Sequence, residues 1–522
     1  MALEAGIAEF SIKGNLEQFL IVLSVSLTVA TVSRLFNWFR QIPYTLLLVI
    51  VGLGLAFVDV RLVNLSPELI LEIFLPPLLF EAAWNIRWRS LKESLVPVSL
   101  FAIVGVIISV LGTAWALSGL TELSLATALL VGASLSATDP VSVVALFREL
   151  GASKRLTILM EGESLFNDGV AVVAFVLLVG IPMGIDQFSL SGTVSKFLTF
   201  GGIGLGVGCL IGFGISYLTQ RFDLPLVEQS LTLVSAYGTY LVTEELGGSG
   251  VIGVVTVGII LGNFGSRIGM NPRTRLLVSE FWEFLAFFVN SIVFLLIGDQ
   301  VNFASLSENF DLILVAIAAI LITRLIIIFG LGNFSNLISG VKTNWREQTV
   351  LWWGGLRGSV SIALALSVPA TLSGRQEIID IVFGVVLFTL LVQGLSTKWL
   401  LETLNLIGDQ PLRQEYSEFL ARRVALRRVL GYMEDEDNVS DIDAEFLRYQ
   451  RGLVKGELQS IEDKISKLRK EHDNLRSLSM DQLREQLLDI EADTYAELIR
   501  AGKLNENLSP VLQEIMVEAE LK

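Results

Sequence analysis

Residues 134–178 read SLSATDPVSVVALFRELGASKRLTILMEGESLFNDGVAVVAFVLL. Two stretches of this segment are apolar enough to lie in a membrane, yet each carries an aspartate, Asp139 and Asp168. An ionisable side chain at bilayer depth costs roughly 2.5–3.5 kcal/mol on insertion scales, so such residues pair with another charge or line an ion path. Transport is therefore the first expectation.

Outward from this segment the chain keeps the same character. Of its 522 residues 52% are hydrophobic and 17% charged, with a mean hydropathy of +0.64, more apolar than a soluble domain needs to fill a core. About 20 apolar residues cross the hydrocarbon. The apolar runs and their polar, proline or glycine breaks predict an all-α polytopic membrane protein with about 13 transmembrane helices, at 15–33, 44–58, 68–84, 94–117, 123–149, 156–180, 195–219, 228–246, 250–263, 277–299, 309–329, 346–370 and 376–400.

The loops check this count, because Lys and Arg collect on the cytoplasmic side. Alternate loops hold Arg34, Arg40, Arg87, Arg89, Lys92, Arg148, Lys154, Arg155, Arg221, Arg267, Arg273, Arg275, Lys342 and Arg346, whereas the opposite loops hold only Arg61, Lys196 and Arg375. The bias predicts an integral, multi-pass protein of the cell membrane with its N-terminus outside and its C-terminus in the cytoplasm. The first residues, with Glu4 and Glu9 against Lys13, lack the basic start and cleavage site of a removable signal.

Residues 1–404 are the expected transmembrane domain and 405–522 a cytoplasmic helical tail. From Asn405 onward there are 25 acids and 17 bases, so the tail holds −8 of the chain's −15, and nothing in this balance suits a nucleic-acid partner. Arg422, Arg423, Arg427 and Arg428 fall at helical spacing, either on anionic lipid or as a solvated face. The charged, Leu/Ile-punctuated run 442–499 suits helical hairpins, serving either a regulatory partner or the stability of the tail itself. The single Cys209 excludes an intrachain disulfide and a Cys-based metal cluster, and the single His472 lies outside the apolar part. Neither an enzyme, a cofactor nor a transition-metal site is expected.

Pro140 removes a backbone donor and disfavours helix just before it, so the fifth span is expected to break there. Asp139 would cap the second half-helix with Pro140 at its first position, acting either as a structural cap or as an ion ligand. The first half would end near Thr138, with carbonyl oxygens turned into the membrane interior, as in the broken helices of transporters. On the sixth span Ser164 and Asp168 share a face and Glu163 and Asn167 the adjoining one, which gathers oxygens suited to a hard cation. Asp168 lies about a turn deeper than Glu163 and is the expected cation-binding residue.

In the twelfth span Gly354, Gly355 and Gly358 surround Arg357 and weaken the helix. Arg357 needs an anionic partner, either Glu163 or the carbonyl ends of broken helices. Arg324, in LITRLIII, is either a second interior cation or a snorkelling one. Glu81, after LPPLLF, either approaches the site or is an interfacial acid near Arg87 and Arg89.

ATDPVSVVALFRELGASKRLTILMEGESLFNDGVAVV followed by GGLRGSVSIALAL resembles the monovalent cation:proton antiporters that include NhaP-type bacterial and archaeal proteins and the animal sodium/proton exchangers. The resemblance covers residues 15–404 and implies an inverted-repeat antiporter fold, with a core domain from spans four to six and eleven to thirteen, a dimerisation domain from the rest, and the fifth and twelfth spans unwound and crossing. It implies a homodimer that exchanges Na⁺, or Li⁺ or K⁺, for H⁺. By position in the motif, Asp168 is similar to the cation and proton acceptor, Ser164 and Thr138 to its oxygen ligands, Asn167 and Asp139 to site-shaping neighbours, and Glu163 with Arg357 to a structural ion pair. Glu81 is similar to a glutamate that contributes indirectly. An Asn before the Asp, as at Asn167–Asp168, implies electroneutral exchange of one Na⁺ for one H⁺. A cation channel or a K⁺-selective exchanger is the alternative.

Overall fold

The computed structural model describes residues 2–36, 42–58, 62, 65–183, 189–221, 224–338, 342–406, 410–434 and 444–471, with Leu487 and Thr494 besides. Arg40, Arg61, His472, most of the acidic run after Glu434 and most of 472–499 lie outside the described residues, as do the side chains of Arg34 and Arg267. The described chain is helical throughout and divides into two compact units, 1–406 and 407–522.

In the first unit the helices are α1 (Ala2–Leu35), α2 (Tyr44–Phe57), α3 (Leu75–Asn85), α4 (Leu95–Leu120), α5 (Leu125–Ser134), α6 (Val141–Leu150), α7 (Lys154–Val179), α8 (Leu190–Thr219), α9 (Pro225–Glu245), α10 (Gly250–Ile260), α11 (Pro272–Asp299), α12 (Phe310–Ile338), α13 (Trp345–Trp353), α14 (Ser359–Leu366) and α15 (Arg375–Thr403). Each of the thirteen expected stretches is built on helix, the fifth and twelfth on two helices separated by a break. Six helices, α4, α7, α8, α11, α12 and α15, are long and apolar enough to cross a membrane.

Local chemistry sets the ends. Ser124, Ser153 and Ser249 each accept a backbone N–H from their helix's first turn, and Asn344 forms a capping box with Glu347. Pro225 and Pro272 occupy first positions, where a missing N–H costs nothing. Gly151 ends α6 in the left-handed conformation (φ 68°).

Packing follows small residues rather than the expulsion of water, since lipid is as apolar as Leu. Gly204, Gly208 and Gly212 recur every fourth residue along α8, and there the backbone approaches Ser249, Gly253 and Ile260 so closely that a side chain would collide. Large apolar residues such as Trp115, Leu210 and Leu337 point outward, as a lipid-facing surface requires.

The second unit is an antiparallel hairpin of α16 (Gln410–Glu434) and α17 (Ala444–Glu471). Tyr416, Ile461 and Ile465 form its core, with Phe419 and Leu468 against them. Arg427 pairs with Glu462 at 2.7 Å and Arg422 with Glu418 at 3.4 Å, so two of the four arginines in the basic row find partners inside the unit.

Candidate functional site

The site is built where the two breaks meet. The chain between α5 and α6 (135–140) crosses the chain between α13 and α14 (354–358), and the Asp139 N–H donates to the Leu356 carbonyl at 2.9 Å. Two backbones can touch this way because Gly358 has no side chain: a Cβ there would overlap the Asp139 carboxylate. We expect Gly358→Ala to destabilise the protein by about 1–3 kcal/mol, the usual cost of overpacking, while Gly206→Ala, on open ground in α8, leaves thermal unfolding in detergent unchanged or slightly raised. Equal melting temperatures for the two variants would contradict the crossing.

Breaking a helix inside the membrane strands backbone groups, and charged side chains satisfy them here. The Asp139 Oδ1 accepts the Val141 N–H at 3.0 Å, which places a carboxylate at the positive end of α6. The helix starts at Val141, one residue later than expected, with Pro140 flanking it. At the opposite, negative end of α5, the Arg357 Nη1 donates to the carbonyls of Ser136 and Ala137, both at 3.1 Å. The Arg357 backbone N–H is held by the Thr389 Oγ1 at 3.0 Å, and Ser361 donates to Ala137 at 3.3 Å.

The second arginine repeats this arrangement on the other broken helix. Arg324, buried in α12, donates from Nε to the Leu351 and Trp352 carbonyls at the end of α13 (3.2 and 3.1 Å) and from Nη2 to Leu351 at 2.8 Å. Its guanidinium also meets Glu163 in a fork, Nη1 to Oε1 at 2.8 Å and Nη2 to Oε2 at 3.2 Å. Gly355 leaves the space that this guanidinium fills.

The ion pair of Glu163 with Arg357 is thus corrected. Glu163 pairs with Arg324, and Arg357 takes the carbonyl-end partner that the sequence reading left open. The α5 carbonyls take the Arg357 Nη1 and Thr389 its backbone N–H, while the Arg324 fork takes both Glu163 oxygens. Arg324 does not snorkel, and its partners on α7 and α13 explain a buried cation in an apolar run.

Around Thr138 the oxygens converge. Asn167 donates from Nδ2 to the Thr138 Oγ1 at 2.6 Å and accepts the Thr138 N–H at 3.3 Å, and the Ser164 hydroxyl donates to the Thr138 carbonyl. Those bonds fasten the chain at the helix break to α7. Asp168 sits one turn beyond Ser164 on the same face, only 7% exposed, and its Oδ1 meets no hydrogen-bond donor among the described residues. Such an oxygen is costly to leave bare. A carboxylate with hydroxyl, amide and carbonyl oxygens beside it suits a hard monovalent cation or a proton.

Along α7 the Asp168 face has two characters. Toward the N-terminal end it continues through Ser164 to Glu161, whose side chain is 19% exposed, and toward the other end it meets the buried Ala171 and Phe175. Glu81 lies on α3, where its Oε1 accepts a hydrogen bond from the Asn85 Nδ2 at 2.6 Å, and among the described residues no hydrogen bond joins it to the Thr138–Asp168 group. Thr389 escaped the sequence reading, because nothing in the sequence around it marks its hydroxyl as the acceptor of the Arg357 backbone N–H.

The family profile described as "Sodium/hydrogen exchanger, transmembrane" matches residues 23–403. The chain is 68% identical to the Na⁺/H⁺ antiporter ApNhaP of Aphanothece halophytica over 521 residues, all of both chains. It is 64% identical to the low-affinity Na⁺/H⁺ antiporter NhaS1 of Synechocystis sp. over 506 residues, 96% of each. Among solved structures, the sodium proton antiporter MjNhaP1 of Methanocaldococcus jannaschii has a similar fold, with a TM-score of 0.61 at 21% identity, covering 74% of this chain and 97% of that one. With its six long apolar helices, the chain is an integral multi-pass membrane protein.

Proposed function

The chain belongs to the sodium/hydrogen exchanger family, and from that premise we propose that it is a secondary active antiporter exchanging one Na⁺ for one H⁺ at Asp168. The observation that carries this reading is the buried Asp168 Oδ1 without a donor among the described residues, one helical turn from Ser164, whose hydroxyl donates to the Thr138 carbonyl. Na⁺ and H⁺ compete for that carboxylate, and either one neutralises it. Neutralisation lowers the cost of carrying the site past the low-dielectric barrier. An empty, charged site stays put, so exchange is obligatory and protons inhibit cation binding as the pH falls.

The supporting residues divide by task. Ser164 and Thr138 supply cation ligands, Asn167 and Asp139 shape the break, Glu163 and Arg324 hold α7 to α12 and α13, and Arg357 neutralises the end of α5. Asn167, an amide and not a second aspartate directly before Asp168, supports one-for-one, electroneutral exchange. The reading extends to thirteen crossings in the cell membrane, with the N-terminus outside and the tail in the cytoplasm, an inverted repeat of core and dimerisation domains, and a homodimer. The tail unit is a docking place for a regulatory partner or lipid. The chemistry is transport and breaks no covalent bond.

In proteoliposomes, an imposed Na⁺ gradient is expected to move protons with the membrane potential clamped at zero. Na⁺ flux without proton movement would favour a channel, and flux with K⁺ alone a K⁺-selective exchanger. A flux that the potential drives would remove the electroneutral stoichiometry.

A further inference from the structure

The Asp168 face of α7 leads somewhere specific. Glu161 lies seven residues before Asp168, two turns or about 10 Å along the helix and within some 20° of the same direction. The face is more open at its N-terminal end: the Arg148 side chain is 62% exposed and that of Glu161 19%, whereas Ser164 and Asp168 are 4% and 7% exposed. In the opposite direction the face is apolar, with Ala171 and Phe175 buried. A cation that reaches Asp168 along this face therefore meets Glu161 first.

Glu161 is already occupied. The Arg148 Nη2, from the last turn of α6, sits 2.8 Å from its Oε1. The same guanidinium attracts Glu81 on α3, a carboxylate that also feels repulsion from Glu161 and from Glu283 on α11. Two carboxylates from two helices, Glu161 on α7 and Glu81 on α3, thus share the field of Arg148. Their net charge concentrates cations near this end of α7, and the arginine opposes that concentration.

Resting on the antiport reading, we infer that Arg148 competes with the incoming cation for Glu161 and Glu81 and so sets the apparent cation affinity on the face of the membrane where the α6–α7 turn lies. It is a positioning residue, since it holds the carboxylates a cation passes and does not touch Asp168. The pair is exposed enough for exchange with solvent, so its own worth to stability is small. Its effect falls on the ion instead.

The test is sided transport. Na⁺-dependent proton flux is measured in inverted and right-side-out vesicles, giving KM for Na⁺ on each face. Arg148→Gln is expected to lower KM on the α6–α7 face by up to about tenfold and to leave it unchanged on the other, with kcat near wild type. Glu161→Gln is expected to raise KM on the same face, the double variant to return toward wild type, and Arg148→Lys to keep the wild-type value. Raising inert choline chloride should narrow the gap between wild type and Arg148→Gln, because exposed charges are screened within about 10 Å at 0.1 M salt. An unshifted KM in Arg148→Gln, an equal shift on both faces, or a loss of kcat shared by Arg148→Lys would overturn the inference while leaving antiport intact. Absence of Na⁺-driven proton flux in the wild type would overturn the antiport reading itself.

Discussion

Asp168→Asn is expected to reduce Na⁺-driven proton flux to the level of empty liposomes while the protein inserts and melts no lower than the wild type. The two halves of this expectation come from different features of one side chain. Asparagine keeps the shape of aspartate but neither binds a proton at neutral pH nor offers a full negative charge to a cation. Exchange needs both. Folding needs neither, because the Asp168 Oδ1 receives no hydrogen bond among the described residues and taking a carboxylate out of water is a cost to the fold.

A binding readout separates loss of the site from loss of motion. A ligand held only by the folded state raises stability by RT ln(1 + [L]/Kd), about 2.7 kcal/mol at a hundredfold excess over Kd. Na⁺ should therefore raise the melting temperature of the wild type and not that of Asp168→Asn. Retained exchange in the variant would sink the assignment. Retained Na⁺ stabilisation without exchange would move the cation to other oxygens.

The second large effect is structural. Removing either member of the Glu163–Arg324 pair should cost about 3–5 kcal/mol, since the survivor is left as an uncompensated buried charge. Glu163→Gln and Arg324→Met should each lower the melting temperature strongly, and the double variant much less than their sum. A double-mutant cycle measures this coupling directly. The same cycle between Glu163 and Arg357 should give a much smaller term, because Arg357 binds the Ser136 and Ala137 carbonyls. A larger coupling to Arg357 than to Arg324 would reverse the pairing described above.

Much of the site was legible in the sequence because its parts are local. Asp139 beside Pro140 and three glycines around Arg357 mark broken helices by backbone chemistry alone, since proline lacks an N–H and glycine lacks a Cβ. Ser164, Asn167 and Asp168 lie within five residues, so helical spacing already fixes which of them share a face. The partner of Glu163 was not legible. Two buried arginines were available, and choosing between them needs the placement of α7, α12 and the second break relative to one another, which local pattern does not carry. Thr389 stayed hidden for the same reason: its hydroxyl matters only because Arg357, 32 residues away, donates to it.

The sequence by itself determined a helical membrane protein with two interrupted helices, a carboxylate at depth and membership of an exchanger family, because hydrophobic length, proline, glycine and short motifs act within a few turns of chain. Only the tertiary structure decided how the stranded helix ends are satisfied, Arg357 on α5 and Arg324 on α13, and that Asp168 is left with an oxygen to spare. Those outcomes depend on which groups meet across the membrane unit, where geometry, not residue type, selects the partners.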